Sequence, residues 1–208
     1  MQNILSDSNQ TNSISNLLPK QGCINYYPEL VSPIQCFSLY DQLKQSIDWQ
    51  ADQIFMFGKK IVTKRKVAWV ADPTCSYTYS GVQKHPDPWT PELLLIKYQV
   101  EKVAGCTFNA CLLNLYHNGS ESMGWHSDDE RELNANAAIA SVSLGGTRKF
   151  AFKHKLDKTT HSLFLENGSA LIMHPPTQQF WQHSLLKTKQ PVAARINLTF
   201  RAIQPSQT

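Results

Sequence analysis

A histidine and an aspartate stand two residues apart in this chain, as His126 and Asp128. A β-strand turns alternate side chains to the same face, so both would point into one space. Far downstream, His183 supplies a second imidazole. Two imidazoles and one carboxylate on one face of a metal leave positions open for substrate and dioxygen, as in non-haem Fe(II) oxygenases. In a chain with seven histidines and sixteen acidic residues, the pair alone does not separate a metal site from a chance spacing.

A polar stripe near the C-terminus favours the metal site. Four residues with even spacing would share one face of a strand: Arg195, Asn197, Thr199 and Arg201. The apolar residues between them would pack outward against a covering layer, which turns two guanidiniums inward, where an unpaired charge is costly. Asn114 and Tyr116 have the same parity on an earlier apolar strand. A dicarboxylate that chelates the metal and also pairs with arginine would satisfy all of these groups.

Together these motifs resemble the AlkB family of Fe(II)- and 2-oxoglutarate-dependent nucleic-acid dealkylases, and most of all its duplex-acting DNA dealkylases. The resemblance rests on NLYHNG from residue 114, HSDDE from residue 126, WQHS, and RINLTFR, and it extends over residues 54–203. It implies that His126, Asp128 and His183 are the metal ligands and the catalytic residues. The cofactors it implies are Fe(II), 2-oxoglutarate as co-substrate, and dioxygen.

The resemblance also implies which residues bind 2-oxoglutarate. They are Asn114, Tyr116, Arg195, Asn197, Thr199 and Arg201. Arg201 with Asn114 would bind the carboxylate nearer the metal, and Arg195 with Tyr116 would bind the far one. The other two residues would support them.

The implied activity is oxidative demethylation of N-alkylated DNA bases of the 1-methyladenine and 3-methylcytosine type, with release of formaldehyde. A methyl group inside a base pair cannot meet the metal, so the nucleotide would be flipped out. The expected partner is alkylated DNA, single- or double-stranded, and the expected state is a monomer. Two alternatives remain open: the same chemistry on RNA or a protein side chain, or a non-catalytic nucleic-acid binding module.

Residues 54–90 mix aromatic with basic residues, with five lysines and arginines in the eight positions 59–66. This pattern fits a solvated hairpin or a nucleic-acid edge. The resemblance favours the second, with Phe57 and Gly58 in a finger that fills the gap left by the flipped base. Asp129 would favour a cationic base and Glu130 would assist, unless both are ordinary surface acids. The predicted substrate-binding residues are Phe57, Gly58, Lys59, Arg65, Tyr77, Thr78, Tyr79, Ser80, Asp129 and Glu130.

A second basic cluster, at residues 149–158, fits either a solvated hairpin or a grip on the opposite nucleic-acid strand. The fold expected around these residues is mainly β with supporting α. Apolar spacing predicts one amphipathic helix over 36–49, with Phe37, Tyr40, Leu43 and Ile47 on its apolar face, and a second from Thr90 to Gly105. Eight short strands between residues 108 and 201 predict a double-sheet jelly roll. The resemblance implies a double-stranded β-helix with helices packed on the outer face of one sheet.

With 208 residues, of which 41% are hydrophobic, the chain fits one filled domain. We expect a flexible tail at 1–20 and a single AlkB-like dioxygenase domain at 21–208, with a nucleotide-recognition lid at 54–90 and the jelly-roll core at 106–203. Five cysteines without a CxxC pair, and no signal-peptide pattern, predict an intracellular protein, cytoplasmic if bacterial and nuclear if eukaryotic. No apolar run reaches membrane-spanning length, so we expect no membrane partner. The net charge of +4 is compatible with a polyanionic partner without requiring one.

Overall fold

The computed structural model describes residues 15–56, 59–75, 77–79, 82–84 and 86–204. Its strands are β1 (Cys23–Tyr27), β2 (Gln50–Met56), β3 (Lys59–Ala71), β4 (Tyr77–Tyr79), β5 (Val82–Lys84), β6 (Ala110–Tyr116), β7 (Met123–His126), β8 (Ile139–Gly145), β9 (Arg148–His154), β10 (Thr160–Leu165), β11 (Ala170–His174), β12 (Trp181–Leu185) and β13 (Arg195–Arg201). Its helices are α1 (Pro33–Ser46), α2 (Pro91–Ala104) and the single turn α3 (Thr177–Phe180).

Two antiparallel sheets face each other. The larger has the strand order β1-β11-β8-β13-β6-β3-β2 and the smaller has the order β10-β9-β12-β7, while β4 and β5 form a separate pair. Between the two sheets lies an apolar cluster that includes Phe150, Phe152, Leu171 and Trp181. This is the predicted mainly β jelly roll, and the expectation is confirmed.

The outer face of the larger sheet is covered by α1 and α2. Leu43 of α1 and Ile96 of α2 share one buried cluster with Ile196, Leu198 and Phe200, the residues that alternate with the polar stripe of β13. The helices therefore supply the covering layer that the alternation on β13 predicts, and they hold the polar side of that strand toward the other sheet.

The ends of α2 are set by the two residues that predict them. The hydroxyl of Thr90 accepts a hydrogen bond from the backbone N–H of Leu93 at 3.3 Å, which caps the first turn. Gly105 ends the helix in the left-handed region, with φ of 67°.

The first helix differs from its prediction. It spans Pro33–Ser46 rather than 36–49, because Pro33 sits at its first turn, where the missing N–H costs nothing. Its buried face is formed by Cys36, Leu39 and Leu43. Phe37, predicted to face inward, is 73% exposed.

The last residues of the flexible tail predicted for residues 1–20 are packed against the fold. Leu18 is buried, and the side-chain oxygen of Asn16 accepts hydrogen bonds from the backbone N–H groups of Leu18 and Ile24. Residues 15–20 therefore pack beside β1, while 1–14 lie outside the described residues. Among the helices that the structure describes, none is long and apolar enough to cross a membrane.

Candidate metal centre

One pocket opens between the two sheets, with about 470 Å³ of empty space including its mouth. All nine side chains predicted to bind metal or 2-oxoglutarate line it. They are Asn114, Tyr116, His126, Asp128, His183, Arg195, Asn197, Thr199 and Arg201. The remaining lining residues, which the sequence did not single out, are Leu112, Met123, Ser141, Phe150, Met173 and Leu185.

Two histidines face each other across neighbouring strands of the smaller sheet. His126 ends β7 and is paired in register with His183 on β12, and their Nε2 atoms are 3.1 Å apart. The Asp128 carboxylate lies 3.6 Å from His183 Nε2 and 3.8 Å from His126 Nε2. Two ligand bonds of about 2.1 Å place their donor atoms roughly 3.0–3.8 Å apart for angles of about 90–130°, so the three groups lie within reach of one divalent ion.

Both imidazoles turn their Nε2 atoms to this point. His126 Nδ1 donates to the carbonyl oxygen of Gly124 at 2.9 Å, which leaves Nε2 as the free acceptor. His183 is buried against the rings of Phe150 and Phe152, with centroids 5.4 and 6.1 Å away. Burial lowers the pKa of His183 to about 4, although Asp128 opposes this shift. His183 is therefore neutral at neutral pH, as a metal ligand must be.

The Asp128 carboxylate is held ionised and in place. Burial alone would raise its pKa, but Arg201 and the two histidines outweigh burial and lower the pKa. Arg201 Nη2 donates to Asp128 Oδ1 at 2.7 Å. The backbone N–H of Asp128 donates to the side-chain oxygen of Gln178 at 3.0 Å.

The far end of the pocket is formed by the polar stripe of β13. Arg195 lies opposite Tyr116, and Asn197 lies opposite Asn114, so the two strands present these side chains to the same face. Arg195 Nη2 donates to Ser143 Oγ at 2.8 Å and to Asn197 Oδ1 at 2.7 Å. Burial lowers the pKa of Arg195 to about 10, so the guanidinium remains charged at neutral pH.

Several buried polar atoms beside the pocket lack a hydrogen-bond partner among the described residues. They include Asn114 Oδ1, Arg195 Nε and Arg201 Nε. A buried donor without an acceptor costs free energy comparable to a lost hydrogen bond. The two guanidiniums thus fit an anionic ligand, and the donor set fits a carboxylate at each end.

Comparison with known proteins identifies this arrangement. The family model described as the 2OG-Fe(II) oxygenase superfamily matches residues 22–201. The DNA oxidative demethylase ALKBH2 of Mus musculus is 38% identical over 192 residues, which is 87% of this chain and 80% of that protein. ALKBH2 of Homo sapiens is 37% identical over 188 residues, 85% of this chain and 72% of that protein. The chain belongs to the AlkB family of 2-oxoglutarate- and Fe(II)-dependent oxygenases.

Other relatives agree with this assignment. The alpha-ketoglutarate-dependent dioxygenase alkB homolog 3 of Bos taurus is 35% identical over 188 residues, 86% of this chain and 65% of that protein. The solved structure of OsALKBH1 superposes with a TM-score of 0.62 at 20% identity, covering 86% of this chain and 97% of that one, which supports the fold. As an AlkB-family oxygenase, the protein uses Fe(II), 2-oxoglutarate and dioxygen.

Two further arginines of this AlkB-family protein lie beside Tyr116, and the sequence did not assign them to the pocket wall. The guanidinium carbons of Arg195, Arg65 and Arg148 lie 5.7, 5.9 and 5.9 Å from the centre of the Tyr116 ring. Arg148 is fully buried and donates to the carbonyl oxygens of Glu121 and Leu186, both at 2.7 Å. Its one sequence signal is that it shares strand parity with the buried Phe150.

Arg65 requires a correction. We predicted it within an exposed basic edge, but it is buried, and its Nη1 donates to Met123 Sδ at 3.1 Å. It therefore packs against a residue of the pocket wall instead of standing free to meet phosphate.

The other predicted substrate residues of the 54–90 segment fall into two groups. Phe57, Gly58 and Ser80 are outside the described residues. The remaining residues of the lid prediction fall on strands, namely Lys59 on β3 and Tyr77, Thr78 and Tyr79 on β4.

The two acidic residues that follow the metal ligand Asp128 make different contacts. Asp129 is mostly exposed, lies 3.7 Å from Lys155 Nζ and is not among the residues that line the pocket. Glu130 Oε1 lies 3.6 Å from Arg201 Nη1. Glu130 is thus the acid that contacts the pocket, through the same guanidinium that binds Asp128.

Proposed function

We propose that this AlkB-family oxygenase removes N-alkyl groups oxidatively from DNA bases. One observation carries the proposal: a metal-ligand triad and two buried guanidiniums share one pocket, in a chain 37–38% identical to proteins named DNA oxidative demethylase.

In this proposal His126, Asp128 and His183 hold Fe(II). Fe(II) held there, with 2-oxoglutarate and dioxygen, would supply the oxidation of the N-alkyl carbon to a hydroxyalkyl group, whose loss as formaldehyde would leave the unmodified base. The chain's own contribution is to keep the His183 imidazole neutral and the Asp128 carboxylate ionised, which the burial of His183 and the Arg201 contact support.

The guanidiniums orient the co-substrate. Arg201 and Asn114 would bind the carboxylate nearer the metal, while Arg195 and Tyr116 would bind the far one. The partnerless Nε atoms of Arg195 and Arg201 support this assignment, because a bound dicarboxylate offers acceptors to both guanidiniums. Asn197 and Thr199 support the site indirectly: Asn197 accepts from Arg195 and donates to Thr199 Oγ1 at 2.8 Å.

The nucleotide-recognition lid at 54–90 is part of the proposal. Only residues 66–71 of β3 pair with β6, whereas residues 59–62 pair with β2 alone. The β2–β3 hairpin therefore continues past the end of β6, on the side where Tyr116 and the pocket lie. A hairpin there would meet a flipped nucleotide before it enters the pocket.

A mass measurement tests the proposal. The protein, loaded with Fe(II) without oxygen, is given oligonucleotides containing 3-methylcytosine, single- or double-stranded, and then 2-oxoglutarate and air. We expect each oxidised base to lose the mass of one methylene group. The oligonucleotide that is converted faster, single- or double-stranded, shows which form of DNA the enzyme prefers. The double variant with His126→Ala and Asp128→Ala, which lacks two of the three metal-facing side chains, should leave the mass unchanged.

Other outcomes would point elsewhere. If 2-oxoglutarate is consumed but no methylated DNA changes mass, the same chemistry acts on RNA or a protein side chain. If the double variant keeps full biological activity, the protein is a nucleic-acid binding module and the dealkylase proposal is wrong.

A further inference from the structure

The smaller sheet carries an irregularity next to the metal ligands. On β12 one residue separates His183 from Leu185, but on β7 two residues separate their partners His126 and Met123. The extra residue is a β-bulge, which re-aims side chains. Both partners on β7 therefore line the pocket, and Trp125 is turned to the outer face, where it is 38% exposed.

Trp125 is covered by a lysine from another strand. Lys153 of β9 places its Nζ 4.3 Å from the centre of the indole ring, across the intervening strand β12. An ammonium over an aromatic face is an attractive arrangement. Trp125 is exposed on an edge strand, so its side chain contributes little to the stability of the fold.

A second aromatic and lysine pair lies across the same sheet. Phe164 of β10 is 59% exposed and is paired in register with the exposed Lys149 of β9. The strands β10 and β7 are the two edges of this four-stranded sheet and lie three strand spacings apart, roughly 14 Å, while Phe164 lies four residues along β10 from Thr160, the partner of Lys153. The outer face thus carries aromatic residues near both edges and lysines between them.

The charge of this face is one-sided. The structure describes every residue of β7, β9, β10 and β12, and their sequences MGWH, RKFAFKH, THSLFL and WQHSL contain no aspartate or glutamate. Asp129, which follows β7, is close to Lys155. Lysines that neutralise phosphates, alternating with aromatic rings on which bases stack, are the features of surfaces that bind single-stranded nucleic acid.

We propose that this outer face, defined by Trp125, Lys149, Lys153 and Phe164, binds the single strand that flanks the nucleotide in the metal pocket. A base stacks on Trp125 when Lys153 moves from the ring to a phosphate, and Phe164 with Lys149 continues the track. Because Trp125 directly precedes His126 on an edge strand, a strand leaving the pocket would reach it first. The inference rests on the proposed function, which supplies the nucleic acid.

Binding of an unmodified oligonucleotide tests this face without catalysis. The full chain, loaded with Mn(II), is titrated into a labelled oligothymidylate of about 16 nucleotides and followed by fluorescence anisotropy at several salt concentrations. Trp125→Ala should weaken binding roughly five- to 150-fold, the effect of losing one stacked base, while Trp125→Phe keeps most of the affinity. Lys149→Ala and Lys153→Ala should each reduce the salt slope by about 0.7.

The helix α2 offers a matched control. Lys102 Nζ lies 4.1 Å from the centre of the exposed Tyr98 ring, the same kind of pair on the opposite side of the larger sheet. Tyr98→Ala and Lys102→Ala should leave binding unchanged. An oligomer without bases should bind the wild type and Trp125→Ala equally, because it has nothing to stack.

The outcomes separate the two proposals. A substitution at Trp125 could disturb the neighbouring metal ligand His126, so Mn(II) affinity is measured for the Trp125 variants. Phe164→Ala, three strands away, tests the same face without contact with a metal ligand. If all four outer-face alanine variants bind like the wild type, or the wild type binds no oligonucleotide, the proposed binding surface is refuted even when methylated DNA is repaired. If these variants lose oligonucleotide binding while no methylated base changes mass, the proposed binding surface is supported and the dealkylase proposal fails.

Discussion

The side-chain oxygen of Gln178 accepts a hydrogen bond from the backbone N–H of Asp128 at 3.0 Å. Gln178 belongs to α3, the turn that leads directly into β12 and His183. A second bond joins the same two segments, from Ser127 Oγ to the carbonyl oxygen of Trp181 at 3.0 Å. The loop that carries the aspartate ligand is therefore tied to the element that carries the distant histidine.

Gln178→Ala should loosen this tie and weaken metal binding. Groups that orient metal ligands typically contribute 10- to 100-fold in affinity, so a loss of about that size is expected in a Co(II) or Mn(II) titration. Gln179→Ala is the matched control, because the neighbouring side chain is exposed and should have no effect. Equal metal affinity in the two variants would show that the hydrogen bond does not position Asp128.

Arg195→Ala should weaken 2-oxoglutarate binding with little change in metal affinity. The buried guanidinium has a partnerless Nε and lies far along β13 from Asp128. A hydrogen bond to a charged group contributes about 1.5–3 kcal/mol, so roughly a 10- to 150-fold loss is expected by calorimetry of the Mn(II) protein. Arg131→Ala, at an exposed position, serves as the control. Unchanged affinity in Arg195→Ala would remove this residue from the co-substrate site.

The polar face of β13 could be predicted because two constraints agree. A strand has a period of two, and a guanidinium inside a protein needs an anion, so the parity of Arg195 and Arg201 indicates both a strand and a ligand. The same parity applied to residue 148 gives no such answer, since the next residue, Lys149, is a basic residue that is exposed. Only the fold distinguishes an arginine that donates to buried carbonyl groups from one in solvent.

Two other features depend on tertiary structure. The outward turn of Trp125 results from a bulge, and a bulge is a mismatch between two strands that neither strand's sequence reveals alone. In α1, apolar residues occupy two faces, and the sheet buries the one with Cys36, Leu39 and Leu43. Spacing alone could not choose between that face and the one with Phe37.

The depressed pKa of His183 predicts a loss of stability in acid. Burial holds the folded-state pKa at about 4, below the unfolded value near 6.5, so the unfolded chain binds more protons between these values. Stability of the metal-free protein should therefore fall as pH drops from about 6.5 to about 4, by on the order of 3 kcal/mol from this residue. Urea unfolding at several pH values measures the slope, and His183→Gln should flatten it. Parallel slopes in the two proteins would mean that His183 is not buried as a neutral group.

The covering layer of the larger sheet can be tested with two phenylalanines. Phe200 is fully buried under α2, with Phe108 and Trp89 ring centroids 6.1 and 6.3 Å away, whereas Phe37 is exposed. Phe200→Ala should cost about 3–5 kcal/mol of unfolding free energy, and Phe37→Ala should stay within about 0.5 kcal/mol. Because β13 carries Phe200 outward and Arg201 inward, the first variant should also weaken 2-oxoglutarate binding. Equal destabilisation by both changes would mean that α1 buries the face with Phe37.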